Sequence, residues 1–209
     1  MADKYRTLEE LKTALKEKQD YLVRILDRCS DVTIIAPHGG MIEKGSSAIA
    51  EAVSGGTYNL YDFQGLQVRN AQELHVSSTR FRDPPLNSLL QRSELAVSIH
   101  GMGNQGESVI WLGGLNGQLK RIVLAILRMQ GFAVNPDPPR YRGESPVNIV
   151  NPAKNKGVQL ELSNELFAEL FEGKAFLLDG QPATRPGFGR IVTALQDSIR
   201  QYRTADMCA

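Results

Sequence analysis

Apolar residues recur with the spacing of an α-helix in four parts of the chain. The first predicted helix covers residues 7–28. Its apolar positions are Leu8, Leu11, Leu15, Leu22, Ile25 and Leu26. An Ala-rich segment, residues 46–53, predicts a short second helix, and residues 115–129 predict the most amphipathic one, which ends at Gly131. Residues 187–203 predict the last helix.

Runs of β-branched and other apolar residues between these helices predict strands. They cover residues 32–36, 57–63, 74–78, 95–99, 107–112, 132–134 and 158–162. Strands that alternate with helices indicate an α/β fold, with a mixed central sheet covered by helices on both faces. We expect one domain over residues 1–209, with an N-terminal helical segment, 1–30, packed on it. The proline-rich residues 135–156 predict a long ordered loop or lid.

The composition is typical of a folded globular domain and argues against disorder. Of 209 residues, 42% are hydrophobic and 22% are charged. Twenty-four Lys and Arg residues against 23 Asp and Glu residues give a formal net charge of +1. This balance gives no general attraction to a polyanion, so we expect no nucleic-acid partner, and an acidic ligand would need a local basic patch.

The sequence shows no feature of a secreted or membrane protein. Its first residues are polar, without the apolar core of a signal peptide, and no later apolar run is long enough to span a bilayer. We therefore expect no membrane partner, and a protein that stays in the cytoplasm or is released when the cell lyses. Cys29 and Cys208 supply no CxxC metal site, and nothing in the sequence requires them to pair. We expect a monomer.

Two of the three histidines come directly after predicted strands. His38 follows one strand after a single proline, and His100 follows another immediately. In open α/β sheets, ligands bind outside the carboxyl ends of the strands, so both imidazoles are candidates for a site there. Glu43 follows His38 across a Gly-Gly pair, which allows the backbone to turn sharply and return the carboxylate.

Two imidazoles and one carboxylate form a known zinc-binding set whose fourth position stays open for water. We therefore interpret His38, Glu43 and His100 as candidate ligands of one Zn2+ per chain. Zinc lowers the pKa of its water from about 15.7 to about 7, and hydrolysis then needs a general base nearby. Glu161 is the best candidate, because it alternates with two leucines and so points to the opposite face of its strand.

Simpler interpretations of these residues remain open. A single histidine in a loop is usually a surface or hydrogen-bonded residue, and a lone Glu in a strand is usually a solvated edge residue. The segment 101–106 matches the GxGxxG fingerprint of dinucleotide-binding proteins. That fingerprint needs a helix to begin within it, whereas residues 107–112 predict a strand and no acidic ribose ligand occurs in residues 121–129. A glycine loop beside a metal or substrate accounts for the segment better.

Six short strings occur in order along the chain. They are PHGGMIE (residues 37–43), LHVSST (74–79), SIHG (98–101), GGLN (113–116), NIVN (148–151) and QLELS (159–163). Together they make the chain resemble the phage-associated poly-γ-glutamate hydrolases, a family whose fold is similar to that of the zinc carboxypeptidases. The resemblance covers nearly the whole chain, and the order of the strings is more specific than any one of them.

The resemblance implies a zinc-dependent hydrolase that cleaves the γ-glutamyl amide bonds of poly-γ-glutamate. Matched to the family's motifs, His38, Glu43 and His100 hold the zinc and Glu161 is the general base. Carboxypeptidases carry an Asn-Arg pair that binds the terminal carboxylate of the substrate, but Asn116 is followed by glycine here. We therefore expect an endo-acting enzyme, with poly-γ-glutamate or a γ-glutamyl peptide as its substrate.

A polymer with one α-carboxylate per unit should bind in a locally basic cleft. The candidate substrate-binding residues are His75, Arg80, Arg82, Asn116 and Arg142. Further cations in the predicted loop are Arg140, Lys154 and Lys156. The alternative for each cation is a solvated surface charge. For His75 the alternative is a structural hydrogen bond, and for the asparagines it is the stabilisation of turns.

Other functions remain open beside this one. A zinc peptidase acting on peptidoglycan is one, because stem peptides also contain a γ-glutamyl bond. A non-catalytic polymer-binding protein of the same fold is another. A dinucleotide-dependent oxidoreductase is the least supported, because the GxGxxG segment lacks the helix that such proteins need.

Overall fold

The computed structural model describes residues 3–173 and 183–206. Six α-helices form in this part of the chain. They are α1 (Leu8–Ala14), α2 (Ser46–Ser54), α3 (Pro84–Arg92), α4 (Gly117–Met129), α5 (Asn164–Leu170) and α6 (Pro186–Asp206). The same residues form seven strands. They are β1 (Tyr21–Leu26), β2 (Val32–Gly40), β3 (Asn59–Gly65), β4 (Leu95–Met102), β5 (Ile110–Gly113), β6 (Val134–Asn135) and β7 (Gly157–Ser163).

The seven strands form one mixed sheet in the order β1-β3-β2-β4-β7-β5-β6. Its centre, β3-β2-β4-β7, is parallel, whereas β1 runs antiparallel to β3 and β5 runs antiparallel to β7. After β2 the chain passes through α2 to β3, which lies on one side of β2 in the sheet. It then passes through α3 to β4, which lies on the other side of β2. The strand order therefore reverses between β2 and β4. In open α/β sheets such a reversal creates a crevice at the carboxyl ends of the strands.

Hydrophobic side chains cover both faces of the sheet. On one face, alternate residues of the central strands pack against α2, α4, α5 and α6. On the other face, a second cluster joins side chains of α1 and α3 to Ile149, Val150 and Ala153 from the loop before β7. Helices on both faces of a mixed sheet confirm the predicted single-domain α/β fold.

The end of α4 agrees with the prediction from the sequence, and its start is capped by Asn116, for which the sequence predicts a role in substrate binding or in a turn. The side chain of Asn116 accepts a hydrogen bond from the backbone N–H of Leu119 at 2.9 Å and so caps the first turn. Gly131, just past the helix, has a left-handed φ of 86°. The glycine segment 101–106 completes β4 and continues as a loop, and no helix begins in it, so the dinucleotide interpretation is not supported.

The predicted N-terminal helix is wrong in its second half. α1 ends at Ala14, and Tyr21–Leu26 forms β1, an edge strand paired with β3. Leu15 has extended backbone angles (φ −123°, ψ 162°) and Lys18 has a φ of 67°, so the chain leaves the helical path between these elements. The apolar residues of β1 fit both the period of a helix and that of a strand, and pairing with β3 makes this segment a strand. The expected helical segment over residues 1–30 fails for the same reason.

The predicted strand over residues 74–78 is also wrong. A 3-10 turn, Ala71–Leu74, is followed by residues that pair with no strand in the described part of the chain. Leu74 and Val76 are buried, as their apolar character predicts. The carbonyl of Val76, however, lies against the side chain of His38 instead of a neighbouring strand.

The long loop over residues 135–156 divides into two halves. Its first half is mostly exposed, whereas Asn148, Ile149, Val150 and Asn151 are buried. The side chain of Asn151 donates to two carbonyls of the same loop, at 2.8 and 2.7 Å. The second half of the loop is therefore part of the core and not a lid, and a lid function of the first half stays a prediction.

Two further expectations concern the membrane and the cysteines. No helix in the described residues combines the length and the apolar composition needed to cross a bilayer. Cys29 is exposed and free, and Cys208 lies outside the described residues.

Asp62, on β3, is a fully buried carboxyl group. It accepts hydrogen bonds from Ser47 Oγ at 2.8 Å and from Gln64 Nε2 at 2.6 Å. Burial raises its pKa from 3.8 to about 6 and outweighs these hydrogen bonds, which act in the opposite direction. Between these two pH values the folded state keeps a proton that the unfolded chain has released, so stability falls as the pH rises through this window.

We expect the Asp62→Asn variant to gain stability relative to the wild type as the pH rises from about 4 to about 7, because asparagine cannot ionise. A shift of about 2 pKa units corresponds to about 3 kcal/mol in the free energy of unfolding. Urea unfolding across this range measures the difference. The control is Asp27→Asn, because an exposed ion pair with Arg92 lowers the pKa of Asp27 below 3.8, so the group is ionised in both states over most of this range and its difference should be nearly independent of pH. A pH-independent difference for Asp62→Asn would contradict the argument from burial.

Candidate metal centre

A bulge in β2 directs His38 toward the crevice between β2 and β4. The register of β2 against β3 shifts around Pro37. Because proline has no backbone N–H to donate, it is tolerated within a sheet at such an irregularity. Gly40 follows with a left-handed φ of 62°, and the backbone N–H of Glu43 donates to the carbonyl of His38 at 2.8 Å. The Gly-Gly pair therefore turns the chain back as the sequence predicts.

The three side chains that the sequence singles out as zinc ligands lie together. Nδ1 of His38 is 2.9 Å from Oε1 of Glu43 and 3.2 Å from Nδ1 of His100. Nδ1 of His100 is 3.6 Å from Oε2 of Glu43. The two histidines come from the carboxyl ends of neighbouring strands, β2 and β4, and the loop after β2 supplies the carboxylate.

The hydrogen bonds around this cluster determine which atoms are free to bind a cation. Nε2 of His38 lies 2.8 Å from the carbonyl of Val76. Because a carbonyl only accepts, Nε2 carries a proton, and Nδ1, which faces Glu43, is the nitrogen that would bind a cation after releasing any proton it holds. The backbone N–H of Gly101 donates to Oε2 of Glu43 at 2.9 Å and orients that carboxylate. Nε2 of His100 is buried and has no hydrogen-bond partner among the described residues, so Nδ1 is the atom that faces the other donors.

The cluster has the spacing of a zinc site. Donor atoms about 2.0–2.2 Å from a tetrahedral zinc lie about 3.3–3.6 Å from one another. The separations here are 2.9 Å from His38 to Oε1 of Glu43, 3.2 Å from His38 to His100, and 3.6 Å from His100 to Oε2 of Glu43, so the two histidines approach different oxygens of one carboxylate. Two imidazole nitrogens and one carboxylate oxygen are also a donor set of catalytic zinc sites that keep one position open. The residues present therefore fit a zinc ion.

His75 joins the cluster, although the sequence predicts a substrate-binding role for it. Ligand atoms of His38, Glu43 and His75 all lie within 4.8 Å of one another, and Nε2 of His75 is 3.9 Å from Oε1 of Glu43. Nδ1 of His75 donates to Oδ1 of Asp3 at 2.7 Å, which leaves the lone pair of Nε2 toward the cluster. A carboxylate on the far ring nitrogen is the usual support of a metal-binding histidine. His75 is therefore a fourth potential donor.

Glu161 lies beside the cluster on the next strand. In the pairing of β4 with β7, Glu161 is the register partner of His100, and such partners have their side chains on the same face of the sheet. Its two leucine neighbours belong to the apolar cluster on the opposite face, as their alternation predicts. Gln159 Nε2 donates to Oε1 of Glu161 at 2.6 Å, and Asn148 Nδ2 donates to Oε1 of Gln159 at 2.9 Å. This chain of amides holds the Glu161 carboxyl in place.

The two carboxyl groups of the site respond differently to their surroundings. Burial raises the pKa of Glu161 well above its usual value, and the negative charge of Glu43 raises it further. Burial also acts to raise the pKa of Glu43, but the charge of His38 and the hydrogen bonds from His100 and His38 together hold it below its usual value. Glu43 is therefore the ionised group, suited to a ligand. A divalent cation in the cluster would favour the ionised form of both carboxyls.

A cavity of about 980 Å³ opens in front of the cluster. Glu43 and His75 form part of its wall, together with Lys44, Tyr141 and Phe167. Ligand pockets usually measure about 300–1,000 Å³, so this cavity is near the upper end of that range. It has room for an extended substrate and not only for a single small acid.

The other predicted substrate-binding residues have structural contacts of their own. Arg80 is exposed on a turn, and the guanidinium of Arg82 donates to a backbone carbonyl at 2.8 Å. Arg142 forms an ion pair with Asp137 at 2.9 Å. Asn116 is buried, where its amide caps α4 and also donates to a carbonyl at 2.9 Å. A role in substrate binding stays a prediction for these four residues.

Two residues of the site, Gln159 and Asp3, are not among those predicted from the sequence. Gln159 could have been found, because it stands two positions before Glu161 and therefore shares its face of the strand. Asp3 carries no such signal. It is separated from His75 by 72 positions, and only the folding of the N-terminal segment over the 3-10 turn brings them together.

The sequence matches the poly-γ-glutamate hydrolase family over residues 5–194. The SPbeta prophage-derived UPF0714 protein YoqZ of Bacillus subtilis (strain 168) is 34% identical over 88% of this chain and 66% of its own length. The UPF0714 protein YndL of the same organism is 33% identical over 81% of this chain and 67% of its own length. The chain thus spans about two thirds of the length of these relatives.

Two solved structures share the fold over almost the whole chain. A bacteriophage poly-γ-glutamate hydrolase is similar with a TM-score of 0.91 at 28% identity, and the likeness covers 98% of this chain and 100% of that one. The zinc-free apo form of YndL is similar with a TM-score of 0.86 at 28% identity, over 95% of this chain and 98% of that one. Since the family match extends over nearly all of the sequence, the chain belongs to the poly-γ-glutamate hydrolase family.

Proposed function

We propose that the protein is a zinc-dependent enzyme that hydrolyses γ-glutamyl amide bonds within poly-γ-glutamate. Membership of the family supports the substrate, as does the likeness to the bacteriophage hydrolase. The observation that carries the proposal is the triangle of donor atoms from His38, Glu43 and His100 beside the buried carboxyl of Glu161. We assign one zinc ion per chain to this triangle. With His75 as an additional donor, a bound water would be the fifth ligand, a number that catalytic zinc sites can reach.

The residues around the triangle suit amide hydrolysis. Bound zinc would supply a Lewis acid that polarises the amide carbonyl and acidifies a water molecule. Glu161 accepts a proton from the attacking water and later donates it to the amine that leaves. The water oxygen forms the new bond to the γ-carbonyl carbon, the carbon–nitrogen bond breaks, and Glu161 returns to its starting state. Gln159 occupies Oε1 of Glu161, so Oε2 is the oxygen left for this exchange.

The cavity and the GGLN segment favour cleavage inside the polymer. A volume of about 980 Å³ is large enough for more than one linked unit of the polymer. Asn116, which follows the two glycines, is engaged in capping α4 and is not paired with an arginine in the sequence. A clamp for the terminal carboxylate of the kind that the carboxypeptidases use is therefore not formed by this segment.

Removing zinc should abolish hydrolysis. We expect the purified protein to bind one zinc ion per chain, to lose activity with a chelator, and to regain it when zinc is restored. His38→Ala and His100→Ala should lose the bound zinc, because each removes one of three donors. Elemental analysis measures the metal. Glu144→Gln, which alters an exposed carboxylate of the loop, is the control and should keep both zinc and activity.

Size-exclusion chromatography of the digested polymer tests the mode of cleavage in the same experiment. A rapid fall in mean length with little free glutamate is the expected result, and steady release of single units would contradict endo-action. Peptidoglycan stem peptides serve as the comparison substrate, and faster turnover of these would contradict the assigned polymer. Full activity of the metal-free protein would overturn the zinc mechanism.

Glu161→Gln should lower the rate and leave substrate binding intact. Glutamine keeps the size of the side chain but cannot accept the proton, and a positioned general base typically contributes about 10²- to 10⁴-fold. We expect kcat on poly-γ-glutamate to fall by this factor while the affinity for the polymer and the zinc content stay as in the wild type. Unchanged turnover would show that another group is the base.

Asp3→Asn should weaken zinc binding by about 10- to 100-fold, the usual effect of removing a carboxylate that supports a metal-binding histidine. Competition with a chromophoric chelator measures the affinity. The control is Lys4→Ala, because Lys4 lines the same cavity but pairs with Glu73 and not with His75. Zinc affinity equal to that of the wild type in Asp3→Asn would exclude His75 as a donor.

A further inference from the structure

Three side chains form a row across the sheet, beginning at the metal cluster. In the pairing of β4, β7 and β5, His100 is the register partner of Glu161, and Glu161 is the register partner of Trp111. Register partners lie on the same face, and neighbouring strands are about 4.8 Å apart. Trp111 therefore lies on the far side of Glu161 from the cluster. It is the single tryptophan of the chain.

An arginine is held against this tryptophan by two aromatic rings. The guanidinium carbon of Arg140 lies 5.5 Å from the centroid of the Trp111 ring and 5.2 Å from that of Tyr141. The two rings are 6.2 Å apart. Both distances from the guanidinium are within the range of about 6 Å over which a cation is attracted to a ring face. The stack restrains a side chain that is otherwise exposed.

The loop that carries this arginine is attached to the strand of the general base. Nε2 of Gln159, which donates to Glu161, also donates to the carbonyl of Tyr141 at 3.3 Å. Tyr141 has a left-handed φ of 56°, which few residues other than glycine adopt. At Gly113 a Cβ would lie 2.2 Å from the carbonyl oxygen of Arg142, so only glycine allows the loop to approach β5 this closely. The position of the stack relative to Glu161 is thus built into the fold.

Arg140 also has a charge that no carboxylate neutralises within residues 3–173 and 183–206. Among the residues that the structure describes, no carboxylate oxygen lies within 4.0 Å of it, whereas Arg142 pairs with Asp137. Its charge nevertheless reaches Glu161, whose pKa it lowers against the stronger effects of burial and of Glu43. A guanidinium that makes no ion pair has N–H groups available for the two oxygens of a carboxylate.

We propose that Arg140, stacked on Trp111 and Tyr141, binds the α-carboxylate of the glutamyl unit next to the bond that is cleaved. This subsite rests on the proposed function. Each unit of a γ-linked polymer carries an α-carboxylate beside the chain, whereas its γ-carbonyl is the group attacked. The metal cluster lies on one side of Glu161 and Arg140 on the other. The γ-carbonyl and the α-carboxylate of one glutamyl unit are therefore held on opposite sides of Glu161. The rings contact the methylene groups of that unit.

The single tryptophan allows binding at this place to be measured without turnover. In the zinc-loaded Glu161→Gln protein, γ-linked triglutamate is titrated by calorimetry while tryptophan fluorescence is followed. The matched ligand is the same oligomer with its α-carboxylates converted to amides. We expect Arg140→Ala in this background to weaken binding of the acid by about 10- to 100-fold, the usual worth of a hydrogen bond to a charged group. Binding of the amide should not change.

Two further variants test the geometry of the subsite. Arg140→Lys keeps the charge without the planar fork, so we expect a smaller loss than with alanine. The control is Arg190→Ala, which removes another exposed arginine, stacked on Phe132 at 5.7 Å. It should bind both ligands as the parent does. In all variants the zinc content should equal that of the parent, since none of them touches the donor atoms.

Equal losses for the acid and the amide, no loss for either, or no binding of the acid to the parent would each overturn the subsite. Failure of the proposed function is visible separately. It would appear as zinc-loaded wild type that does not hydrolyse poly-γ-glutamate, a result on which the titration does not depend. In the otherwise wild-type enzyme, Arg140→Ala should reduce kcat/KM on the polymer by a factor similar to the loss in affinity.

Discussion

Parallel pairing of β2, β4 and β7 is the constraint on which the site depends. In parallel strands the carboxyl ends meet at one edge of the sheet, so His38, His100 and Glu161 come from neighbouring strand ends although they are far apart in sequence. The bulge at Pro37 is the second requirement, because it releases His38 from the regular ladder and points it at His100. If either β2 or β4 shifted by one residue, the side chain would move to the opposite face and the donors would separate.

This arrangement buries several polar and charged groups, which is costly unless each is compensated. The protein supplies part of the compensation through three hydrogen bonds. His38 donates to the carbonyl of Val76, Gly101 donates to Glu43, and Gln159 donates to Glu161. Two carboxyls in one buried cluster still repel each other when both are ionised. A divalent cation between them removes that repulsion. Metal binding and the stability of this end of the sheet are therefore coupled.

Glu161, the proposed general base, lies between two parts of the site. On one side, the N-terminal segment and the 3-10 turn bring Asp3 and His75 to the donor cluster. On the other side, β5 and the loop before β7 place the guanidinium of Arg140 beside two aromatic rings. Gln159 connects these two parts of the site, because its Nε2 donates to the carboxyl of Glu161 and to the backbone carbonyl of Tyr141 in the loop. The donor cluster and the arginine with its two rings thus come from different parts of the chain, and both are fixed in position relative to Glu161.

Short-range patterns in the sequence determined the features that depend only on neighbouring residues. They include the end of α4 before Gly131, the return of Glu43 across two glycines, and the face on which Glu161 points. Such features follow from periodicity and backbone freedom, which are local properties. Tertiary structure alone decided that residues 21–26 form an edge strand, that His75 meets Asp3, and that Arg140 among many cations lies beside the base. Each of these depends on contacts between segments that are distant in the sequence. A local pattern, such as the apolar spacing of residues 21–26 that fits both a helix and a strand, contains no information about which distant segment will be its partner.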